Sequence, residues 1–346
     1  MIDLVDKLVK YKDLSEEEFL YLLDNQNDFS EKLFKESRKI TNKYFKNKIF
    51  VRGLLEISNI CKNNCYYCGI RRDNKNVKRY RMSKENILKS VQFASDLGFK
   101  TFVLQGGEDP YFTDEILVDI IKNIKKISPN SAITLSIGER EYNSYKILKE
   151  SGADRFLLRH EAASNELYKK LHPEEMSLSN RKKSLKYLKE LKYQTGAGFM
   201  VGAPYQENKD LVKDLKFLKN LNPEMIGIGP FISQHDTVFS KEKNGSVDLT
   251  IYLLSILRIM FPNANLPATT ALATLSENGR VRGIEVGANV FMPNISPDFA
   301  KENYNLYDNK LYTNMECAEN LETLKSNFKK IGYEIVMDKG DFVQVD

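Results

Sequence analysis

Three of the four cysteines, Cys61, Cys65 and Cys68, stand together in ISNICKNNCYYCGIRRDN, and the fourth, Cys317, is far away in sequence. A closed structural zinc site takes four donors, usually as two pairs, and this stretch supplies three. Thiolates at i, i+4 and i+7 on one loop can hold three irons of a [4Fe-4S] cube, leaving the fourth iron open to an outside ligand. The open iron would then be the working part. A competing arrangement, zinc on the three cysteines and a distant histidine, has only His160, His172 and His235 to draw on. His172 and His235 lie in connecting segments and read as surface or hydrogen-bonded residues. Cys317 reads as a small buried apolar thiol.

Elements must hold such a loop. Short apolar runs alternate with amphipathic helical stretches along the chain, the rhythm of repeated βα units. Strands are predicted at 51–57, 100–105, 132–136, 154–159, 196–201, 225–229, 266–270 and 288–293. Helices are predicted after Ser83, Thr113 and Asp248, with Gly98 and Gly152 where C-caps belong. Eight βα units over this span match an α/β fold of the closed (β/α)8 TIM-barrel kind, whose functional face lies at the C-terminal ends of its strands. A doubly wound open sheet is the alternative. Residues 1–50 read as a helical segment packed under the barrel, 51–300 as the barrel, and 301–346 as a closing extension.

The cysteine loop follows strand one on that face, and GGEDP follows strand two. Period-2 alternation places Thr134 and Ser136 on one face at strand three, and Arg159 with Glu161 on one face at strand four. His160 then points the other way and reads as structural. Met200, the pair 229–230, Thr269 with Thr270, and Met292 end the later strands. Gly106 and Gly107 fit a tight turn and also let a ligand approach bare backbone.

Composition narrows the class. The 346 residues carry 52 Lys plus Arg against 47 Asp plus Glu, a net charge of +5, with the basic residues scattered over helical segments such as LKYLKELKY. Solvated helix faces explain that pattern better than a nucleic-acid surface. No apolar run approaches the roughly 20 residues of a membrane span, and the N-terminus has no signal or transit composition, so a cytoplasmic location is expected.

The C-x-x-x-C-x-x-C spacing, with Tyr67 directly before the last cysteine and Gly-Gly-Glu after strand two, resembles the radical S-adenosylmethionine (SAM) superfamily. The resemblance implies that SAM chelates the open iron and that its one-electron cleavage yields a 5'-deoxyadenosyl radical. It makes Cys61, Cys65 and Cys68 the ligands, lays Tyr67 against the adenine, and sets Gln105, Gly106, Gly107 and Glu108 by the methionine amino group. Further blocks, among them LLRHE, TGAGFMVG, IGIGPF, PATTA and GANVFMPN, resemble the [FeFe]-hydrogenase maturases of the biotin-synthase-like branch. That likeness implies Ser136, Glu161 and Arg181 as SAM-binding residues. It implies Thr134, Arg159, Thr269, Thr270, Met292, Tyr304 and Tyr307 as the lining of a substrate cavity. The implied substrate is an organometallic iron species bearing CO, cyanide and cysteine. The implied partners are a tyrosine-lyase maturase, a GTPase scaffold and an electron donor, with neither nucleic acid nor membrane.

Some members carry a second cluster near the C-terminus; with Cys317 alone there, one cluster is expected. The family block often reads Ser-Gly-Glu and Arg-His-Glu-Thr, where this chain has Gly106 and Ala162. Two other functions compete. A methylornithine synthase shares the barrel and the cysteine spacing, but needs an ammonium anchor that Arg159 does not supply. A non-catalytic cluster carrier would leave the glutamate-bearing SAM pocket unexplained.

Overall fold

A computed structural model of the chain describes residues 3–310 and 321–342, and Cys317 lies outside them. Its strands are β1 (Lys48–Val51), β2 (Gly53–Ser58), β3 (Thr101–Gly106), β4 (Ala132–Ser136), β5 (Arg155–Leu157), β6 (Gln194–Ala197), β7 (Met200–Val201), β8 (Met225–Ile226), β9 (Gly229–Pro230), β10 (Val290–Phe291) and β11 (Glu334–Val336). A parallel sheet runs β2-β3-β4-β5-β6-β8. Single bridges then close the ring, Met225 to Asn265, Pro267 to Val290 and Leu54 to Asn294. The fold is a (β/α)8 barrel.

Several strands differ from expectation for local reasons. The first divides at Arg52, because β1 pairs with β10 and β11 at the foot of the barrel while β2 pairs with β3. The fourth stops at Leu157, and the fifth and sixth are each interrupted, as β6 with β7 and β8 with β9. Residues 266–270 form no ladder. Pro267 has no N–H to give one, and Thr269 already serves as N-cap of the helix Thr270–Leu275.

Helix starts follow their caps. The Ser83 hydroxyl accepts from Asn86 N and that of Thr113 from Ile116 N, each satisfying an end N–H that the helix leaves unpaired. Gly98 and Gly152 take positive φ at the ends of their helices. The helix expected after Asp248 begins earlier, at Val247, because the Ser246 hydroxyl accepts from Leu249 N. This helix, Val247–Met260, is buried nearly all round. Barrel strands cover its inner side, and helices Leu4–Tyr11 and Gln26–Phe45 cover its outer side. The N-terminal helices therefore lie on the barrel's flank, not under it, tied there by Tyr252 Oη to Leu22 O (2.8 Å) and by Lys216 to Asp13 (2.9 Å).

The floor is made by residues 339–342. Carbonyls and a carboxylate of this segment meet the first residues of the strands. Thr101 Oγ1 donates to Lys339 O (3.0 Å), Asn265 Nδ2 to Gly340 O (3.1 Å), and Arg155 Nη2 to Lys339 O (2.8 Å) and Asp341 Oδ1 (2.7 Å). At the other end, residues 303–310 strap the mouth: Gly69 N donates to Leu306 O (2.8 Å) and Asp308 N to Ser233 O (3.1 Å).

Candidate active site

The cysteine loop has no regular structure, so its backbone polar groups need side-chain partners. Arg79 supplies most of them, donating to the carbonyls of Asn59 (2.6 Å), Ile70 (2.8 Å), Arg71 (2.6 Å) and Asn74 (3.0 Å). Asn59 locks the loop to the strap through Nδ2 to Asn303 O (2.7 Å). Close approach does the rest. A Cβ on Gly107 would stand 2.3 Å from Ile60 O, and one on Gly69 2.1 Å from Asn305 O. Glycine at these two positions lets β3 and the strap press against the loop.

Within it, Cys61 Sγ accepts from Asn63 N (3.4 Å) and Glu108 N (3.3 Å), and Cys65 Sγ lies 3.6 Å from Met176 Sδ. Burial pushes all three thiols up, Cys68 to about 12. Such thiols ionise when a metal centre supplies the opposing charge. Tyr67 Oη lies 3.2 Å from His172 Nε2. His172 is buried, not on the surface: it stacks on Tyr168 at 3.9 Å, and its Nδ1 lies 2.9 Å from Tyr168 O. Burial lowers its pKa to about 3, so the neutral ring donates to that carbonyl and accepts from Tyr67. His235 is exposed and pairs with Asp308 (2.6 Å).

Glu161 reaches the barrel interior by an unusual route. It has φ 64°, in the left-handed region, and Ala162 N closes a tight turn on His160 O (2.8 Å). A non-glycine residue there costs on the order of 1–3 kcal/mol and persists where its surroundings fix it. They do so here. Asp214 Oδ1, fully buried, meets both His160 Nε2 (3.1 Å) and Ala163 N (2.6 Å), and Glu161 N donates to Gly198 O (3.1 Å). His160 faces away from the interior, against Phe199 and Phe217.

Arg159 Nη2 and Glu161 Oε2 are 3.1 Å apart. The contact brings opposite charges together without hydrogen-bond alignment. Both of those atoms, with Arg159 Nε, Thr269 Oγ1 and Thr134 Oγ1, are buried and find no hydrogen-bond partner among the described residues. Buried polar atoms left in this state await a ligand or water. All but Thr134 Oγ1 belong to residues that border a chamber of ≈350 Å³, which joins the three cysteines, Tyr67 and Gly106–Gly107 to Thr270, Met292, Tyr304 and Tyr307.

Some expected residues are placed differently. Thr134 and Ser136 are not on the chamber wall, although Ser136 pairs with the wall residue Gln105 in the β3–β4 ladder. The Glu108 carboxylate is already taken, by Glu139 N (2.9 Å) and Lys62 Nζ (3.3 Å). What Gly-Gly-Glu offers the chamber is chiefly backbone. Arg181 is on the wall, but Glu139 pairs with its Nε, and its Nη1 donates to Arg159 O (2.5 Å).

Sequence reading passed over Arg79, Glu139, Met176 and the pair Glu56–Lys310 (2.5 Å), which lines the chamber. Glu56 had a signal: it is the one charge in the apolar strand GLLEIS.

The Radical SAM superfamily pattern matches residues 55–218, the stretch from β2 to the helix Asn208–Leu221. The [FeFe] hydrogenase maturase subunit HydE of Thermotoga maritima is 48% identical over 287 residues, covering 83% of this chain and 82% of that protein. The chain belongs to the HydE family of radical SAM enzymes. The 3-methylornithine synthase of Methanosarcina acetivorans is more distant, 28% identical over 88% of this chain and 87% of that protein. The crystal structure of methylornithine synthase (PylB) shares the fold, with a TM-score of 0.84 over 98% of this chain and 99% of that one at 24% identity.

Membership of a radical SAM family implies a [4Fe-4S] cluster and SAM. The HydE-family site fits both. Three part-buried thiols in one loop suit three irons, and the unaligned Glu161 and Arg159 side chains suit a ligand that carries both charges.

Proposed function

We propose that this chain takes part in [FeFe]-hydrogenase maturation, holding one [4Fe-4S] cluster on Cys61, Cys65 and Cys68 and cleaving SAM beside it. When bound, cluster and SAM supply an electron and a 5'-deoxyadenosyl radical. The protein's part is to bind, orient and exclude water. Tyr67, steadied by His172, flanks the adenine, and the Gly106–Gly107 backbone accepts the ammonium of the methionine part. Glu161 takes the ribose or ammonium, and Arg181 the carboxylate. The strap 303–310 keeps bulk water from the chamber.

The substrate of this reading is an organometallic iron complex bearing CO, cyanide and cysteine. Arg159 pairs with one of its anionic groups, a task suited to a planar fork of donors, while Thr269, Thr270 and Met292 shape the wall. The partners are a tyrosine-lyase maturase, a GTPase scaffold and an electron donor. Among the described residues no helix is long and apolar enough to cross a membrane, and a cytoplasmic site of action fits that. The observation that carries the reading is the chamber itself, continuous with the cysteine loop and bordered by an Arg159 guanidinium whose Nε and Nη2 make no hydrogen bond among the described residues.

Anaerobic reconstitution tests it. About four irons and four sulfides per chain are expected, with cleavage of SAM to methionine and 5'-deoxyadenosine that Cys65→Ala abolishes. Wild-type protein should support hydrogenase maturation in an assay with the partner maturases. About eight irons, or a cluster lost in Cys317→Ala, would refute the single cluster.

One observation favours a second reading, methylornithine synthase. Glu56 supplies the ammonium anchor that the sequence alone did not reveal. Conversion of lysine to methylornithine without support of maturation would decide for it.

A further inference from the structure

Glu56 is fully buried, points into the chamber from β2, and carries a charge where its neighbours on the wall, Leu54, Ile70 and Met292, are apolar. Its carboxylate is held at both oxygens, Oε2 by Asn294 Nδ2 (2.9 Å) and Oε1 by Lys310 Nζ (2.5 Å). Lys310 comes from the strap, its side chain 8% exposed, and Nζ is also 2.9 Å from Tyr304 O. A buried ion pair gains little stability over apolar residues of the same volume, because both charges lose their hydration. The fold therefore has little need of this one. The sheet order sets it three strands round the wall from Arg159.

We propose that Glu56 and Lys310 together receive the zwitterionic end of an α-amino-acid moiety in the substrate, Glu56 taking its ammonium and Lys310 its carboxylate. The inference rests on the chamber being the substrate site. Insertion exchanges one internal ion pair for two and leaves no net charge buried. Asn294 and Tyr304 keep the two groups aimed while they change partners, so little ordering is needed at binding. A ligand with one charge alone separates the pair and leaves one member uncompensated, which a buried site penalises heavily. The site thus selects for both charges at once. The remainder of the substrate, whatever its reacting atoms, is then directed toward Arg159 and the cysteine loop.

A ladder of small probes tests this on the reconstituted, SAM-loaded protein by calorimetry. L-serine carries both groups and has no thiol to attack the cluster. Ethanolamine lacks the carboxylate, and 3-hydroxypropionate lacks the ammonium. Wild type should bind L-serine at least about tenfold more tightly than either, the size of one charge-assisted hydrogen bond. Glu56→Gln should erase the preference over 3-hydroxypropionate, and Lys310→Met the preference over ethanolamine, in protein whose iron content matches wild type. A purely structural pair would weaken all three probes alike. Equal affinities in wild type, no binding of L-serine, or variants that keep the wild-type ranking would each overturn the proposal. The wild-type ladder needs no variant to fold. Loss of serine selectivity with maturation intact removes this inference alone, whereas failed maturation with selectivity intact removes the hydrogenase assignment and leaves the receptor standing.

Discussion

Arg155 opens β5 and Arg159 lies two residues past its end, and their surroundings could hardly differ more. Every nitrogen of the Arg155 guanidinium is used: Nε on Gln194 (3.1 Å), Nη1 on Thr101 (3.3 Å), and Nη2 on Lys339 O and Asp341. Arg159, by contrast, has Nε and Nη2 buried without a hydrogen bond among the described residues. The floor of the barrel consumes its arginine's donors, and the roof withholds them. Residue type is shared, so partner supply is what separates a structural cation from one available to substrate.

Exchanging both arginines for leucine gives the largest contrast. Arg159→Leu should lose hydrogenase maturation by a hundredfold or more on the order expected when a charge-assisted contact to a reacting ligand is removed. Its urea midpoint should fall far less than that of Arg155→Leu, because only the unaligned contact with Glu161 is lost. Arg155→Leu should cost about 1–3 kcal/mol of stability, because buried acceptors at the floor lose their donor while the half-exposed Asp341 carboxylate regains water. Loss of stability at 159 and none at 155 would invert the comparison.

Glu161→Gly sharpens it at the next position along the roof. SAM affinity should drop about tenfold with the loss of a charge-assisted hydrogen bond. Stability should stay within about 1 kcal/mol of wild type, since glycine relieves the left-handed backbone while adding freedom to the unfolded chain. A large loss of stability would mean that the carboxylate, and not its backbone, is structural.

The smallest effect concerns the strap. Hydrogen bonding to Asp308, then the nearby charges of Asp308 and Asp236, raise the pKa of His235 above 6.5. A raised folded value means that this contact stabilises fully below about pH 6.5 and fades as pH climbs through the folded value. The side chain is 71% exposed, so solvent and salt screen the gain. The difference in thermal midpoint between wild type and His235→Gln should therefore shrink between pH 6 and pH 8.5 in low salt. A difference that grows with pH would contradict it.

Local chemistry is what the sequence displays best. β4 was readable at both ends because ITL alternates into one core, and Ser83 and Thr113 each announce a helix within a few residues. The cysteine spacing likewise sits inside one loop. What was hidden depends on partners far along the chain. Glu56 meets Lys310 across 254 positions, and the turn that aims Glu161 is braced by Asp214 across 51. Alternation correctly put Arg159 with Glu161, although the strand had ended at Leu157 and the turn did the aiming. His172 looked like a connector residue because it sits just past the end of the helix Asn165–Leu171, stacked on Tyr168 one turn before it, and Tyr67, which closes over it, is 105 positions away.

The floor segment also sets a schedule. Arg52 meets Gly340 across 288 positions, and Lys48 pairs with Glu334. On the ribosome the strand starts emerge long before their last partners are translated. Until residues 334–342 arrive, the nascent barrel is open underneath, with Nη2 of both Arg52 and Arg155 lacking its acceptors, and sheet closure waits on those contacts. A chain that stopped before residue 334 would thus collapse without sealing. Protein quality control could recognise it as unfinished before any iron is committed to it.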